Sequence, residues 1–229
     1  MIGVVIPVHN EAGLLGDCLE SIVCAGRDPR LDGEPVEIVT VLDACTDRSA
    51  AVAVRRGAQI VSLDARCVGV ARALGASYAL DAGARWLAFT DADTVVPADW
   101  LSAQLAANAD CVCGRIAIDD WSAHPYGMPE RFREHYARWG DRAIHGANLG
   151  VSAAAYAACG GFPALRKGEA EAIVASLVRL GRRVAWNAAP AVTTSARWDS
   201  AIEGAFASRL RDLRETCLAE LSGAATAAA

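Results

Sequence analysis

Short apolar segments rich in β-branched residues alternate with segments of helical spacing over residues 2–90, and this alternation constrains the fold more than any other feature. The predicted strands cover residues 2–7, 36–42, 59–63 and 86–90, and the predicted helices cover 11–23, 47–55 and 68–82. Strands joined by helices run parallel, with right-handed crossovers. The sequence therefore predicts an α/β fold whose mostly parallel central sheet is flanked by helices.

Polar residues stand at the points where the predicted strands end. They are His9, Asn10 and Glu11 after the first strand, Asp43 after the second, Ser62 and Asp64 at the third, and Asp91 and Asp93 after the fourth. The carboxyl ends of parallel strands share one edge of a sheet, and ligands bind there. A purely structural sheet has no need of so many carboxylates on one edge, so the pattern predicts a functional site.

The segment Asp91–Ala92–Asp93 carries two carboxylates one residue apart. Side chains alternate in direction along an extended backbone, so both carboxylates would point the same way with the small Ala92 turned from them. Hard oxygen donors in this arrangement suit Mg²⁺ or Mn²⁺ that keeps phosphate or water ligands. The alternative is that one aspartate caps the next helix, with Pro97 near its first turn.

Composition and missing motifs exclude several classes of protein. Residues 7–11 read Pro-Val-His-Asn-Glu, where a dinucleotide-binding sheet would carry a glycine-rich turn, and no P-loop motif occurs anywhere in the chain. A nucleotidyltransferase would need a glycine-rich loop with Arg and Lys at the same place. The net charge of −5 and the pI near 5.4 argue against nucleic acid as the main partner.

The sequence also sets expectations for location. None of its segments approaches the roughly 20 apolar residues that span a bilayer, although peripheral membrane contact stays open. The apolar run at residues 2–8 has no basic region before it, so we do not expect a signal peptide. Eight scattered cysteines are typical of buried thiols in a reducing compartment, which favours the cytoplasm.

Several motifs, taken in order, resemble those of family 2 glycosyltransferases, which have the nucleotide-diphosphosugar transferase (GT-A) fold. In the first half of the chain, the matching segments are 5–11 (Pro-x-x-Asn-Glu type), 43–47 (the tail of Asp-Asp-Gly-Ser-Thr-Asp, with Leu42 where the first Asp commonly stands), 69–75 (Gly-x-Ala-Arg-Asn-x-Gly type) and 91–93 (Asp-x-Asp). In the second half, they are 146–148 (Gly-Ala-Asn) and 160–162 (Gly-Gly-Phe). The resemblance covers roughly residues 1–190, and spaced motifs in one order are more specific than any single motif.

This resemblance implies one GT-A domain over residues 1–229. Its nucleotide-binding half would cover about 1–95, its acceptor-side half about 96–200 and a C-terminal helix about 202–221. The implied reaction transfers a single hexose from a UDP- or GDP-linked donor to an unknown hydroxyl acceptor, with inversion and with the help of Mn²⁺ or Mg²⁺. The acceptor and the oligomeric state are not predicted.

The resemblance also implies roles for individual residues. Asp43 would accept a hydrogen bond from uracil or guanine, Arg72 would neutralise the diphosphate or support the base, Asp91 would contact ribose or the metal, and Asp93 would ligate the metal. The further implied nucleotide contacts are Pro7, His9 and Glu11, and the implied substrate contacts are His145, Asn148, Gly160, Gly161 and Arg197. Structural alternatives are a helix cap for Asp43, a solvated helix face for Arg72 and a packed imidazole for His145.

The chain departs from the family where the general base is expected. The usual Glu-Asp pair after the Gly-Gly-Phe loop reads Glu169-Ala170, followed by Glu171, and an alanine accepts no proton. Glu169 and Glu171 lie about 200° apart on a helix, so they cannot both face one cleft. Glu169 is favoured as the base because it keeps its motif position. Either carboxylate could instead simply oppose the helix dipole. A catalytically impaired nucleotide-sugar-binding protein is the alternative function.

Overall fold

The computed structural model describes residues 1–138, 140–198 and 206–227, with ten strands in this part of the chain. The strands are β1 (Ile2–Val8), β2 (Val36–Asp43), β3 (Gln59–Leu63), β4 (Trp86–Phe89), β5 (Thr94–Val95), β6 (Cys111–Cys113), β7 (Ile116–Ala117), β8 (Leu149–Ser152), β9 (Val184–Trp186) and β10 (Val192–Thr194). The helices are α1 (Leu15–Ala25), α2 (Ser49–Arg55), α3 (Val68–Asp81), α4 (Trp100–Ala106), α5 (Met128–Arg138), α6 (Ala153–Cys159), α7 (Glu169–Arg179) and α8 (Phe206–Ala227).

Seven of the described strands form the central sheet, in the order β3-β2-β1-β4-β8-β6-β9. The β1 strand pairs in parallel with β2 and β4, whereas β8 runs antiparallel to β4 and β6. Continuous apolar strands such as β1 and β4 are buried on both faces, as expected for a sheet covered by helices. The predicted α/β class is confirmed, and β1 to β4 end at one edge.

Glycines on α3 set how closely this helix approaches its neighbours. A Cβ added at Gly75 would lie 2.4 Å from Val5 Cγ1 and 2.8 Å from Val41 Cγ2, so the helix rests directly on the sheet. A Cβ at Gly69 would lie 2.1 Å from the carbonyl oxygen of Pro163, because the start of α3 packs on that loop. These two contacts fix the distance between the sheet and α3, the helix that carries Arg72, and the position of its first turn.

Several predicted boundaries are wrong for identifiable reasons. The helix predicted from residue 11 begins at Leu15, because Asn10 has a φ of 58° and the backbone amides after it bond to another loop. The strand predicted over 111–118 divides into β6 and β7, which belong to different sheets. The tail predicted to fray from residue 222 is helical to Ala227, consistent with the high helix propensity of alanine. The predicted start of that helix, at residue 202, lies outside the described residues.

The chain divides into two compact units, and the single domain over residues 1–229 stays a prediction. The larger unit comprises Met1–Ala117 and Arg142–Thr194, and it contains the central sheet and a second sheet of the order β5-β10-β7. The smaller unit comprises Ile118–Asp141 and Ser195–Ala229, where Arg131 of α5 pairs with Glu220 of α8. Within the described residues, every helix is too short or too polar to cross a membrane.

Candidate active site

Hydrogen bonds join the loops that follow β1 and β2. Asn10 Oδ1 accepts from the backbone amides of Thr46 at 2.8 Å and Asp47 at 3.2 Å, and Asp47 Oδ2 accepts from the amide of Ala12 at 2.9 Å. The positive φ of Asn10 turns the chain so that these groups meet. The two loops therefore form one cross-linked wall, which we call the loop wall (residues 9–12 and 43–49).

Three residues predicted to contact the nucleotide lie in or beside this loop wall. Pro7 is half-buried within β1, and His9 is exposed just beyond it. The His9 ring is fixed by its Nδ1, which lies 2.6 Å from the carbonyl oxygen of Asp43. The amide of Glu11 donates to Ser49 Oγ at 2.9 Å. The structure therefore brings these three residues to the carboxyl edge of the sheet, and their contact with the nucleotide stays a prediction.

The Asp43 carboxylate organises the loop that follows β3. The side chain is buried, and it accepts hydrogen bonds from the amides of Ala65 at 2.8 Å, Arg66 at 2.7 Å and Cys67 at 2.8 Å. The alternative in which Asp43 caps the next helix is wrong, since these bonds lead to a different loop. A carboxylate offers about four acceptor positions, so three amides leave little capacity for a nucleotide base.

The Asp91–Ala92–Asp93 segment forms a turn and does not continue the strand. The amide of Thr94 donates to the Asp91 carbonyl at 3.1 Å, so the extended backbone that the sequence argument assumed is wrong. This turn packs against α1 at Cys18. Burial raises the pKa of the Cys18 thiol there, and the negative charges of Asp93 and Asp91 raise that pKa further. Cys18 Sγ also donates to the Asp91 carbonyl at 3.3 Å.

Two threonines that the sequence analysis did not single out lie against Asp93. The hydroxyl groups of Thr94 and Thr194 are 3.1 Å apart, and each lies 3.4 Å from Asp93 Oδ1. The pairing of β5 with β10 brings them together. Sequence alone offers no signal for this contact, because Thr194 is separated from Asp93 by 101 positions.

Arg72 is the centre of a buried ion-pair network. Its side chain is 3 % exposed, its Nη2 donates to Asp91 Oδ1 at 2.5 Å, and its Nη1 donates to Glu169 Oε1. Its Nε has no hydrogen-bond partner within the described part of the chain. Arg72 therefore does not lie on a solvated helix face, and both of its terminal nitrogens are engaged by carboxylates. We call Arg72, Asp91 and Glu169 the ion triad.

Small and aromatic residues enclose the Arg72 guanidinium. A Cβ added at Gly146 would lie 2.4 Å from Nη1 and 2.5 Å from Nη2, so only glycine leaves room for the cation. The Phe162 ring centroid lies 5.9 Å from Arg72 Cζ, within the range of a cation–π contact. The Gly146 and Phe162 positions of the family motifs are thus explained by packing around one buried charge.

The predicted substrate contacts Gly160 and Gly161 hold Phe162 in place. Their φ angles of 83° and 73° lie in the region that favours glycine, and Gly160 ends α6. The amide of Phe162 then donates to the Tyr156 hydroxyl at 3.2 Å, and its ring packs edge-on to Phe89 with centroids 4.8 Å apart. These glycines have a structural role that needs no sugar contact.

The other predicted substrate contacts are found in different surroundings. The Asn148 side chain is buried, accepts from Trp100 Nε1 at 2.9 Å, and donates to the carbonyls of Arg115 at 2.8 Å and Pro190 at 2.9 Å. Because these bonds engage both its oxygen and its nitrogen, the geometry does not support a substrate contact for Asn148. His145 is half-buried beside Gly146.

Arg197, predicted as a further substrate contact, belongs to the smaller unit. Its side chain is exposed, and its amide donates to Ser195 Oγ at 3.2 Å.

The first turn of α7 separates its two carboxylates as the helical geometry predicted. Glu169 is the first residue of the helix, and its side chain is 7 % exposed in the ion triad, whereas Glu171 is exposed. Ala170, at the position of the expected base, is 2 % exposed and packs in the apolar core with Ile173 and Val174. This environment is unsuited to an ionised side chain at position 170.

The neighbouring charges act on the Asp91 carboxylate in opposite directions. Its side chain is 39 % exposed, yet loss of hydration raises the pKa of Asp91. The positive charge of Arg72 opposes this shift, while the negative charges of Asp93 and Glu169 add to it. An added cation would relieve this repulsion. Asp91 and Asp93 are hard oxygen donors, and two carboxylates completed by phosphate and water suit Mg²⁺ or Mn²⁺.

The described residues contain no group of three or more His, Cys, Asp or Glu side chains placed to hold a metal.

Solved glycosyltransferases share this fold at low sequence identity. TarS 1–349 from S. aureus is 13 % identical, with a TM-score of 0.60 over 91 % of this chain and 68 % of that chain. The mannosyltransferase PcManGT from Pyrobaculum calidifontis is 20 % identical, with a TM-score of 0.59 over 87 % of this chain and 58 % of that chain. Glucosyl-3-phosphoglycerate synthase from Mycobacterium tuberculosis is 16 % identical, with a TM-score of 0.57 over 85 % of this chain and 70 % of that chain.

The chain thus spans 58 % to 70 % of the length of these three proteins. No curated protein matches the chain in sequence. The family model described as Glycosyl transferase family 2 matches residues 3–167 of the chain. This range includes the loop wall and Arg72, Asp91 and Asp93. The chain therefore belongs to glycosyl transferase family 2 and has the GT-A fold of those enzymes.

Proposed function

We propose that this protein transfers a single hexose from a UDP- or GDP-linked sugar to a hydroxyl acceptor, with inversion and with a divalent cation. One observation carries the proposal: Asp91 and Asp93 follow β4 at the carboxyl edge of the sheet, and Asp91 is bonded to a buried arginine. Complexes of the similar structures support it, since PcManGT was solved with GDP-Man and Mn²⁺ and TarS with UDP-GlcNAc.

The loop wall would receive the base and ribose of the donor. His9 is exposed there with its Nδ1 2.6 Å from the backbone carbonyl oxygen of Asp43, and a neutral ring that donates from Nδ1 would offer Nε2 as an acceptor. Asp43 would act chiefly by holding the loop at residues 65–67, and it keeps only its remaining acceptor position for the base. This division of roles alters the resemblance-based assignment, which gave base recognition to Asp43 itself.

Asp91 and Asp93 would hold the cation. Negative charge builds on the diphosphate as the sugar leaves, and a bound Mn²⁺ or Mg²⁺ would supply charge neutralisation without a proton donor. Arg72 would keep Asp91 in position, because its guanidinium is buried and both terminal nitrogens are occupied. We therefore do not assign Arg72 a direct contact with the diphosphate.

The acceptor hydroxyl must lose a proton during the attack, so a base within hydrogen-bond reach is required. The α7 helix, all of which is described, has no carboxylate that is both exposed and directed at the ion triad. Glu169 Oε1 is taken by Arg72, and Glu171 lies on the opposite side of the helix. We therefore propose that the base comes from outside α7.

A second candidate function is donor binding without sugar transfer, and the buried Ala170 is the observation that favours it. The two functions differ in one measurement. An enzyme releases nucleoside diphosphate from its donor, to water or to an acceptor, whereas a binding protein releases none above the rate without protein. We also propose a cytoplasmic location, because all eight cysteines lie within the described residues and are free thiols.

Thermal unfolding with and without ligands tests the proposed function. We expect UDP or GDP together with MnCl₂ to raise the melting temperature by several degrees, because ligands that bind the native state stabilise it. Asp93→Ala should abolish this rise, whereas the matched control Asp81→Ala, at an exposed position on α3, should preserve it. A wild-type protein whose melting temperature is unchanged by both nucleotides would contradict the proposal.

A further inference from the structure

The ion triad joins three elements that are far apart in the sequence. Arg72 lies on α3, Asp91 follows β4, and Glu169 begins α7, and one buried guanidinium contacts both carboxylates. A Cβ at Gly146 would collide with that guanidinium, so a glycine at this position leaves the space that the Arg72 side chain fills. Such an arrangement holds Asp91 on one side and leaves the rest of its carboxylate accessible.

The charges of the triad do not cancel. Arg72 contributes one positive charge, while Asp91 and Glu169 contribute two negative charges, and Asp93 adds a third nearby. In their charged forms these four groups, one positive and three negative, carry a formal net charge of −2. Without Glu169, the guanidinium would neutralise Asp91 by itself and would compete with a metal for its oxygens.

We infer that Glu169 is a positioning residue that acts through Arg72: it balances the guanidinium so that Asp91 stays available to a divalent cation. This inference rests on the proposed function, because the cation is the one that accompanies the nucleoside diphosphate. It gives Glu169 a role different from that of the general base, which its place in the sequence motif suggested.

The surroundings of Glu169 support this role. Its carboxylate is buried and bonded to Arg72, and the apolar neighbours of Ala170 lie along the same turn of α7. The Glu169 side chain is only 7 % exposed and its Oε1 is bonded to the guanidinium, so an acceptor hydroxyl has little access to this carboxylate. Removing a group that contacts a metal ligand, and not the metal itself, commonly lowers metal affinity by about 10-fold to 100-fold.

The test measures binding and does not depend on turnover. UDP and GDP are each titrated into the protein by calorimetry at increasing MnCl₂, and the Mn²⁺ concentration for half-maximal binding is determined. Glu169→Gln keeps the shape of the side chain and removes its charge, so we expect this concentration to rise at least about 10-fold. Glu171→Gln, two residues further along the same helix turn and exposed, is the matched control and should leave it unchanged.

Charge compensation supplies a second variant. Arg72→Met/Glu169→Leu removes one positive and one negative charge, so the net charge at the site returns to that of the wild type. Paired buried charges can often be replaced by apolar side chains without loss of folding. We expect the Mn²⁺ requirement of this double variant to lie closer to the wild type than that of Glu169→Gln, a rescue that a purely structural role would not produce.

The outcomes separate the two proposals. If the wild type binds neither nucleotide at any Mn²⁺ concentration, the proposed function fails. If the wild type binds and Glu169→Gln has the same Mn²⁺ requirement, only the role of Glu169 is overturned, and a loss of transfer alone would then identify it as the base. If Glu169→Gln does not fold, the double variant decides, since a folded protein that needs at least about 10-fold more Mn²⁺ would contradict the charge balance.

Discussion

Asp43 is the last residue of β2 and Asp91 follows β4 in the same sheet, yet different partners hold their carboxylates. Asp43 accepts from three backbone amides that lie 22 to 24 positions away. Asp91 is held by a charged side chain that is itself bonded to a second carboxylate 97 positions from it. Amide donors fix the shape of a loop, whereas the ion triad also sets the charge beside a binding site.

The largest expected effect comes from breaking the ion triad. Arg72→Met leaves Glu169 buried without its partner, and we expect the free energy of unfolding to fall by about 3–5 kcal/mol. Urea denaturation at pH 7 measures this change. Arg179→Met, at an exposed arginine on α7, should change it by less than about 0.5 kcal/mol. If Arg72→Met lowers the free energy of unfolding by less than about 1 kcal/mol, then Glu169 is hydrated or finds another partner, and the ion pair adds little stability.

A somewhat smaller effect is expected when the family carboxylate is restored. Ala170→Asp would place a carboxyl group in the apolar core, which raises its pKa and lowers stability by about 3 kcal/mol at pH 7. Because the folded-state pKa is raised, the destabilisation should shrink as the pH falls toward the unfolded value near 3.9. Denaturation at pH 7 and pH 5 checks the sign.

The exposed Ala175 provides the control for this prediction. Ala175→Asp lies on the same helix, and it should lower stability by only about 0.7 kcal/mol through helix propensity. We also expect Ala170→Asp to create no transfer activity. A stable, more active Ala170→Asp variant would indicate that position 170 opens to the acceptor.

The smallest of the three effects is expected in the loop after β3. Asp43→Asn keeps one oxygen acceptor but turns an amide group toward the Cys67 N–H, so we expect a loss of about 1–3 kcal/mol. Urea denaturation of this variant, with exposed Asp81→Asn as the control, measures the loss. If Asp43→Asn and Arg72→Met lower the free energy of unfolding equally, the proposed difference between a carboxylate held by backbone amides and one held by a buried arginine would be wrong.

Sequence reasoning found β1 to β4, α3 and α7 closely, because continuous apolar runs and helical periodicity are local signals. It misplaced the start of α1 and the division of 111–118 between two sheets. Those features depend on where Asn10 meets residues 46–47 and where Asn148 fills the space beside Gly114, and both contacts join distant parts of the chain.

The sequence by itself determined the α/β class, the strand order along the chain and the polar residues that gather at one edge, because these follow from short-range patterns. Only the tertiary structure decided what those residues do: Asp43 binds a loop, Asp91 lies in a turn, and Arg72 joins it to Glu169. The physical reason is that a charge takes its role from the groups packed around it, and chain separation carries no information about that packing.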